Sequence, residues 1–563
     1  MLKHRLRVSH PPPLFSFKTF KPPVTELEHF FSSEGQLAKI ITGYQPRTAQ
    51  TEMASTVANA IESKQHLIAE AGTGTGKTFA YLIPAILSGK KVIVSTGTKN
   101  LQEQLFNNDL PLIRKALEDP FKATLLKGRS NYFCHYRLAT ALEAAQGFSA
   151  SETKLLTKIK SWSKKTRDGD IATMADISET NPIWYQATST RDNCLGQECP
   201  NSEECFLAKA RRKAQSADVI IVNHHLLCAD WSVRESGGEL LPDAEVIILD
   251  EAHQLAEIAS NFLGLSLSAK LFVDLADDTL EEYFKDAKDM PDLRTACEDL
   301  KHEVQDLRLA FGTQLRKGEW KEVEANPKIS SALQSLNEQL QRLELHLKQA
   351  SVKSAGLETC HNRCEQVCEQ LESILSNNNG GTIRWFETHR LSFTLGCTPL
   401  DIASEFKAFM QQHPATWIFT SATLSVAHRF DHFANNLGLQ GVSSYSWGSP
   451  FDYPNQALFY HPKGLPQPND PDAIERIIEF AIPVLEASQG RAFFLFTSYR
   501  ALNRAEELLA DRLDYPLLVQ GKRPKGLLLD DFKRLGNAVL LGTSSFWEGV
   551  DVRGEALSCV IID

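Results

Sequence analysis

Three glycines at alternate positions, Gly72-Thr73-Gly74-Thr75-Gly76, run directly into Lys77-Thr78. Glycines at that spacing let the backbone turn tightly and aim successive N–H groups at phosphate oxygens. The Lys77 ammonium reaches terminal phosphates, and the Thr78 hydroxyl holds Mg²⁺. The strict phosphate-loop pattern asks for glycine at position 71, where this chain has Ala71. The surviving core is Gly74-Thr75-Gly76-Lys77-Thr78, which by itself is also compatible with an ordinary glycine-rich turn. Asp250-Glu251-Ala252-His253 removes that alternative. Asp250 suits the Mg²⁺ that bridges the phosphates, and Glu251 can orient and deprotonate the attacking water. The two motifs predict a nucleoside-triphosphate hydrolase with Lys77, Asp250, Glu251 and His253 as its catalytic set. Upstream, the Gln50 amide offers one donor and one acceptor for adenine, or else caps a solvated helix start. Reading it as adenine contact makes ATP the nucleotide, held by Gln50, Gly74, Thr75, Gly76, Lys77, Thr78 and Asp250.

A second constellation is Cys134, Cys194, Cys199 and Cys205, spaced C-x59-C-x4-C-x5-C. Three thiols bunched in a stretch bearing Pro and Gly suit an iron–sulfur cluster. A Zn(Cys)₄ site is the alternative, although its ligands usually come as two short pairs. Four unrelated buried thiols remain a third reading. Cys360, His361, Cys364 and Cys368 look like a further metal set, but their spacing is one stripe of a helix.

These side chains need rigid elements behind them. Gln65 to Ala69 reads as a strand and Phe79 to Leu87 as a helix, placing the glycine loop between them. Val246-Ile247-Ile248-Leu249 is a run fit for a buried parallel strand, with Asp250 at its end. Lys91 to Thr96, Asp218 to Asn223 and Trp417 to Ser421 are strands of the same kind. The turn Gly97-Thr98-Lys99 is equally compatible with phosphate contacts along a nucleic-acid strand and with a capped helix start. From Leu255 to Asn379, Leu, Glu, Gln, Lys and Ala dominate, and Leu333, Leu336, Leu340, Leu343 and Leu347 keep helical spacing. After Asn377-Asn378-Asn379-Gly380-Gly381 and the Pro-rich stretch 449–471, a second α/β unit begins, with strands at Arg491 to Ser498 and Ala538 to Thr543.

The 563 residues suffice for about three or four domains. No apolar run approaches about 18 residues, so no membrane partner is expected. Eleven cysteines in so long a chain fit a reducing cytoplasm better than a disulfide scaffold. The net charge of −10 repels nucleic acid, so such a partner needs a local basic track. Lys158 to Arg167 and Lys209 to Lys213 supply one, or else form solvated helix faces.

In order, Gln50, Gly74–Thr78, the four cysteines, Asp250–His253, Thr420–Leu424 and Gly542–Asp551 resemble the XPD/DinG-like iron–sulfur branch of superfamily two DNA helicases, nearest to its bacterial YoaA members. The resemblance covers nearly all of residues 35–563. It implies an α/β fold of two RecA-like parallel-sheet motor domains, the first interrupted by an iron–sulfur domain and a helical arch-like insertion. The expected division is a disordered tail over 1–34, a first motor over 35–127, 214–254 and 382–450, a cluster domain over 128–213, an arch over 255–381, and a second motor over 451–563. The resemblance also implies a [4Fe–4S] cluster as metal cofactor on Cys134, Cys194, Cys199 and Cys205. The implied activity is ATP-driven 5′ to 3′ unwinding of single-stranded and forked DNA. It implies work in repair or replication, beside the bacterial nucleoid, with a protein partner from those processes. The family continues into a helix with Gln…Gly-Arg-x-x-Arg, and this sequence stops at Asp563 before it. The expectation is therefore a chain that binds ATP but turns it over slowly. Two other classes are a non-unwinding DNA-binding scaffold with an ATP lobe, and an iron–sulfur electron carrier, which leaves Lys77 and Asp250 unexplained.

Overall fold

The computed structural model describes residues 24–563 apart from 119, 144–147, 191–192, 236–237, 377–380, 468–469, 471, 524, 548–549, 551 and 553. The basic tail over 1–23, most of the Asn/Gly break before Gly381, and Glu548, Gly549 and Asp551 of the final motif lie outside the described residues.

The apolar runs form strands. In chain order these are β1 (Leu67–Ala71), β2 (Val92–Thr96), β3 (Ala123–Leu125), β4 (Val219–Asn223), β5 (Val246–Asp250), β6 (Leu265–Ser268), β7 (Lys317–Glu319), β8 (Thr382–Thr388), β9 (Phe393–Pro399), β10 (Thr416–Ser421), β11 (Ser443–Trp447), β12 (Ala492–Leu495), β13 (Leu517–Val519), β14 (Val539–Gly542) and β15 (Cys559–Ile562). They build three sheets: β11-β1-β10-β5-β2-β4-β3, β13-β14-β12-β15 and β6-β9-β8-β7.

The seven-stranded sheet is parallel throughout. Helices must cover both faces of such a sheet, and the side chains divide with period two. Leu67, Ala69, Val92, Val94, Val246 and Ile248 join one core, with helices Thr48–Ser63 and Lys77–Leu87. Ile68, Ile93, Ile247 and Leu249 join the other, with Trp231, Phe406 and Phe409. The second parallel sheet behaves alike: Phe494 packs to one side with Leu502, and Phe493 to the other with Phe532. None of the described helices is long and apolar enough to cross a membrane.

Two sequence-based boundaries move. Leu27 and Phe31 are buried in the first core, so residues 24–34 are not the tail that the sequence suggested. Apolar burial fixes them. Residues 382–399, assigned from sequence to the first motor, form β8 and β9, which pair antiparallel with β7 and β6. Phe386, Phe393 and Leu395 are buried with the inserted helices, and a strand-like sequence alone does not say which sheet it joins.

The inserted helices are Ala269–Asp286, Pro291–Ala310, Pro327–Ala350 and Ala355–Leu375. Leu333, Leu336, Leu340, Leu343 and Leu347 are all buried there, and so are Cys360 and Cys364, as a helix stripe requires. A charge network joins this insertion to helix His135–Glu143 of the cysteine-bearing region. Arg137 donates to Asp278 at 2.9 Å and to Glu281 at 3.2 Å. Arg363 donates to the other Asp278 oxygen at 2.7 Å, and the Tyr136 hydroxyl donates to Glu282 at 2.8 Å. Arg137, Asp278, Glu282 and Arg363 are each less than one-tenth exposed.

Candidate functional site

The phosphate loop leaves the carboxyl end of β1 and Asp250 ends β5, with β10 between them. The register sets Ala69 opposite Thr420 and Thr420 opposite Asp250. Helix Lys77–Leu87 starts at the loop's end, directing its positive terminus at the same place. Gly74 and Gly76 both have left-handed φ, +82° and +85°, which glycine alone adopts freely.

The loop is held by contacts that the sequence left unassigned. Arg47 donates to the Gly74 carbonyl. Gln50, 3% exposed, donates from Nε2 to the Gly76 carbonyl at 3.0 Å and accepts from the Tyr44 hydroxyl at 2.9 Å. Gln50 thus braces the loop itself. A Cβ on Gly76 would run into that amide, a second reason for glycine there.

Asp250 is buried and accepts from the Tyr81 hydroxyl at 3.0 Å. Burial, and then the neighbouring Glu251, push its carboxyl up to about 7, while Lys77 pulls the other way. Glu251 turns the chain sharply with φ +56°, a conformation that costs a non-glycine residue roughly 1–2 kcal/mol. Its carboxylate lies 3.9 Å from Lys77 Nζ and accepts from Ser421 Oγ at 3.1 Å. The same Ser421 oxygen is 2.8 Å from His253 Nδ1. Lys77, Glu251, Ser421 and His253 are therefore one connected set. The Thr420 hydroxyl, opposite Asp250 in the register, is buried without a hydrogen-bond partner among the described residues.

Glu70 anchors the edge of this set. It accepts from the Leu424 and Ser425 amides, both at 2.6 Å, and from the Ser425 and Ser446 hydroxyls at 2.8 and 2.9 Å. Burial opposes its charge, but these four bonds hold its carboxyl below the ordinary range.

His224 is wholly buried, with Nδ1 2.7 Å from Ser95 Oγ. Burial lowers its pKa to about 4, against the backbone of Glu251 and Asp250, which favours the charged form. The fold therefore favours neutral His224. Its contribution to stability is complete above about pH 6.5 and is lost as pH falls toward 4, on the order of 3 kcal/mol at the acid end. Wild type should melt above a His224→Gln variant at pH 7, with the gap narrowing as pH falls below about 6.5 and closing only toward about pH 4. A gap that stays constant would refute this origin.

Of the four cysteines, Cys205 packs against a separate core of Tyr132, Phe133, Ile159, Trp184 and Phe206, and Cys134 follows Phe133 directly in the chain. All four are half-buried free thiols. Burial pushes Cys134 up to about 11, with Cys199 and Cys194 adding to it and backbone N–H groups of Arg137 and Tyr136 opposing. Burial likewise raises Cys199, with the Asn201 N–H opposing and Cys194 and Cys205 adding. Cys134 and Cys199 thus lie near the other thiols and each receives backbone N–H donation, an arrangement compatible with thiolate ligation. Among the described residues, no three His, Cys, Asp or Glu side chains converge as the ligands of a single metal ion. Lys158, Lys160, Lys164, Lys165 and Arg167 are exposed beside this core, as are Lys209, Arg212 and Lys213, while Arg211 is half-buried. At the other turn, Thr98 caps helix Lys99–Gln104, its side chain accepting from Leu101 N at 3.3 Å.

Comparison with known proteins gives three family matches: a DEAD/DEAH box helicase model over 51–130, DEAD_2 over 98–272, and a Helicase C-terminal domain over 482–563. The ATP-dependent DNA helicase YoaA of Haemophilus influenzae is 44% identical over 542 residues, 96% of this chain and 84% of that protein. YoaA of Escherichia coli is 45% identical over 534 residues, 95% and 84% of the two. The chain belongs to the YoaA family of ATP-dependent DNA helicases. A solved XPD helicase shares the YoaA-family fold, with a TM-score of 0.51 at 16% identity over 92% of this chain and 85% of that one. Its two RecA-like motors correspond to the two parallel sheets. At that identity the likeness is one of fold alone.

Proposed function

We propose that this YoaA-family helicase hydrolyses ATP at the loop Gly74–Thr78 with Asp250, Glu251 and His253, and uses the cycle to move 5′ to 3′ along single-stranded DNA and open forks. The observation that carries the reading is the hydrogen-bonded chain from Glu251 through Ser421 to His253, standing over Lys77 at the carboxyl ends of three neighbouring strands. Bound Mg²⁺ supplies charge to the phosphates. Asp250 is the residue to hold it, Lys77 pairs with the terminal phosphates, and Glu251 takes the proton of the attacking water while Ser421 fixes its second oxygen. Ser421 and Thr423 tie that carboxylate to the loop after β10, since the Thr423 amide donates to Ser421 Oγ at 3.3 Å.

Cys134, Cys194, Cys199 and Cys205 are the ligands proposed for a [4Fe–4S] cluster, within a domain over 128–213 that family likeness supports. Such a cluster supplies rigidity to a region whose connections are largely loops. The basic side chains beside it are offered to the DNA backbone, where they neutralise phosphates. A role in repair or replication rests on family likeness.

Strand displacement on 5′-tailed, 3′-tailed and forked duplexes tests the proposal. Unwinding of the 5′-tailed and forked substrates, with ATP turnover stimulated by single strands, is expected. Preference for 3′ tails would overturn the polarity. ATP binding without DNA-stimulated turnover would favour a non-unwinding scaffold instead.

A further inference from the structure

The segment that leaves β11 lies along the outer side of the phosphate loop. The backbone starts the contact: β11 runs parallel to β1 with Trp447 opposite Ala71, and the Gly72 amide donates to the Trp447 carbonyl at 3.1 Å. Ser449 Oγ then donates to the Thr73 carbonyl at 3.1 Å. The Tyr453 hydroxyl is 2.9 Å from Thr73 Oγ1 and 3.1 Å from Ser449 Oγ. The Phe451 ring rests directly against Gly74, so that a Cβ there would run into it. A Cβ on Gly72 would come within 2.7 Å of the Ser449 amide nitrogen. Trp447 is fixed by its own bond to Glu52, Nε1 to Oε2 at 3.0 Å, and stacks on Tyr445. From Tyr453 the chain continues to helix Ala473–Ala487 and β12 of the second sheet.

We propose that Ser449, Phe451 and Tyr453 are positioning residues for the nucleotide. They brace Thr73 and Gly74 from outside, hold the loop's N–H groups toward the phosphates, and so tie nucleotide binding to the segment that leads into the second motor. This rests on the reading of Gly74–Thr78 as the ATP site. The physical basis is preorganisation. A glycine-rich loop has many conformations to lose when it closes on phosphates, and every contact made beforehand reduces that loss. Arg47 and Gln50 brace one flank, and this strap braces the other. Two of the loop's glycines therefore answer to the strap as well as to the ligand. Linkage runs both ways: whatever the docked strap adds to nucleotide affinity, bound nucleotide adds to strap docking.

The test uses the full chain, with steady-state ATP hydrolysis and mant-ADP binding as readouts. Tyr453→Phe removes the hydroxyl pair and Phe451→Ala removes the ring. Each should raise KM for ATP and Kd for mant-ADP about five- to tenfold while kcat stays within about twofold. Phe451→Tyr, which keeps the ring, should return both constants to wild-type values. Unchanged KM and Kd in Tyr453→Phe and Phe451→Ala would overturn the proposal, as would a fall in kcat alone. Lys77→Ala runs alongside. If it hydrolyses ATP at the wild-type rate, the site reading itself fails. If it is inactive while the strap variants match wild type, only the strap proposal fails.

Discussion

Glu251→Gln is expected to bind Mg·ATP and to lose turnover by about 10²–10⁴-fold, the range of a positioned general base. The amide keeps the size of the carboxylate and can still accept from Ser421 Oγ, now 3.1 Å from Glu251. It cannot take the proton of the attacking water. The 3.9 Å approach of Lys77 to Glu251 adds a second effect. With the carboxylate neutralised, Lys77 no longer divides its charge between Glu251 and the phosphates, so ATP affinity should hold or rise slightly. Equilibrium binding of a fluorescent ATP analogue and single-turnover hydrolysis separate the two effects. Normal turnover with lost affinity would make Glu251 a binding residue and move the base elsewhere.

The second large effect is expected at Cys199. Anaerobically purified wild type should be brown and carry about four iron and four sulfide per chain, and Cys199→Ser should lose most of both. Unwinding should fall further than mant-ADP binding, because the cysteine-bearing region has its own core of Phe133, Trp184 and Phe206, separate from the first-motor core next to the phosphate loop. Cys364→Ser is the control. Its thiol is buried among the inserted helices, donating to the Leu340 carbonyl at 3.8 Å, and its replacement should leave iron content unchanged. Zinc in place of iron in the anaerobic wild type would reject the cluster.

The parts legible from the sequence were those where chemistry demands a residue type at a fixed spacing. A phosphate loop needs glycines followed by lysine, and a buried parallel strand needs an unbroken apolar run, so β1, β2, β4, β5 and β10 could be read directly. The Leu333–Leu347 stripe was legible because its helix buries one face. What escaped were contacts between distant segments. Nothing in Ser449-Pro450-Phe451-Asp452-Tyr453 announces that it lies on Gly74, nor in Glu70 that it gathers four donors from residues 424–446. The sequence suggests an adenine contact for Gln50, and its further amide bonds to Gly76 and Tyr44 emerge only once the helix is packed. The same limit misplaced residues 382–399, since strands of ordinary composition choose a partner sheet by long-range packing.

The charge network between helix His135–Glu143 and the inserted helices has a mechanical consequence. Arg137 and Asp278 are too deeply covered to be parted cheaply. Stranding either one in the interior costs several kcal/mol per ion, comparable with a sizeable part of a domain's entire stability. The cysteine-bearing region and the inserted bundle are therefore joined by buried ion pairs, and separating them would strand charge in the interior. The two are expected to move as one body, with rearrangement during a nucleotide cycle falling at other joints.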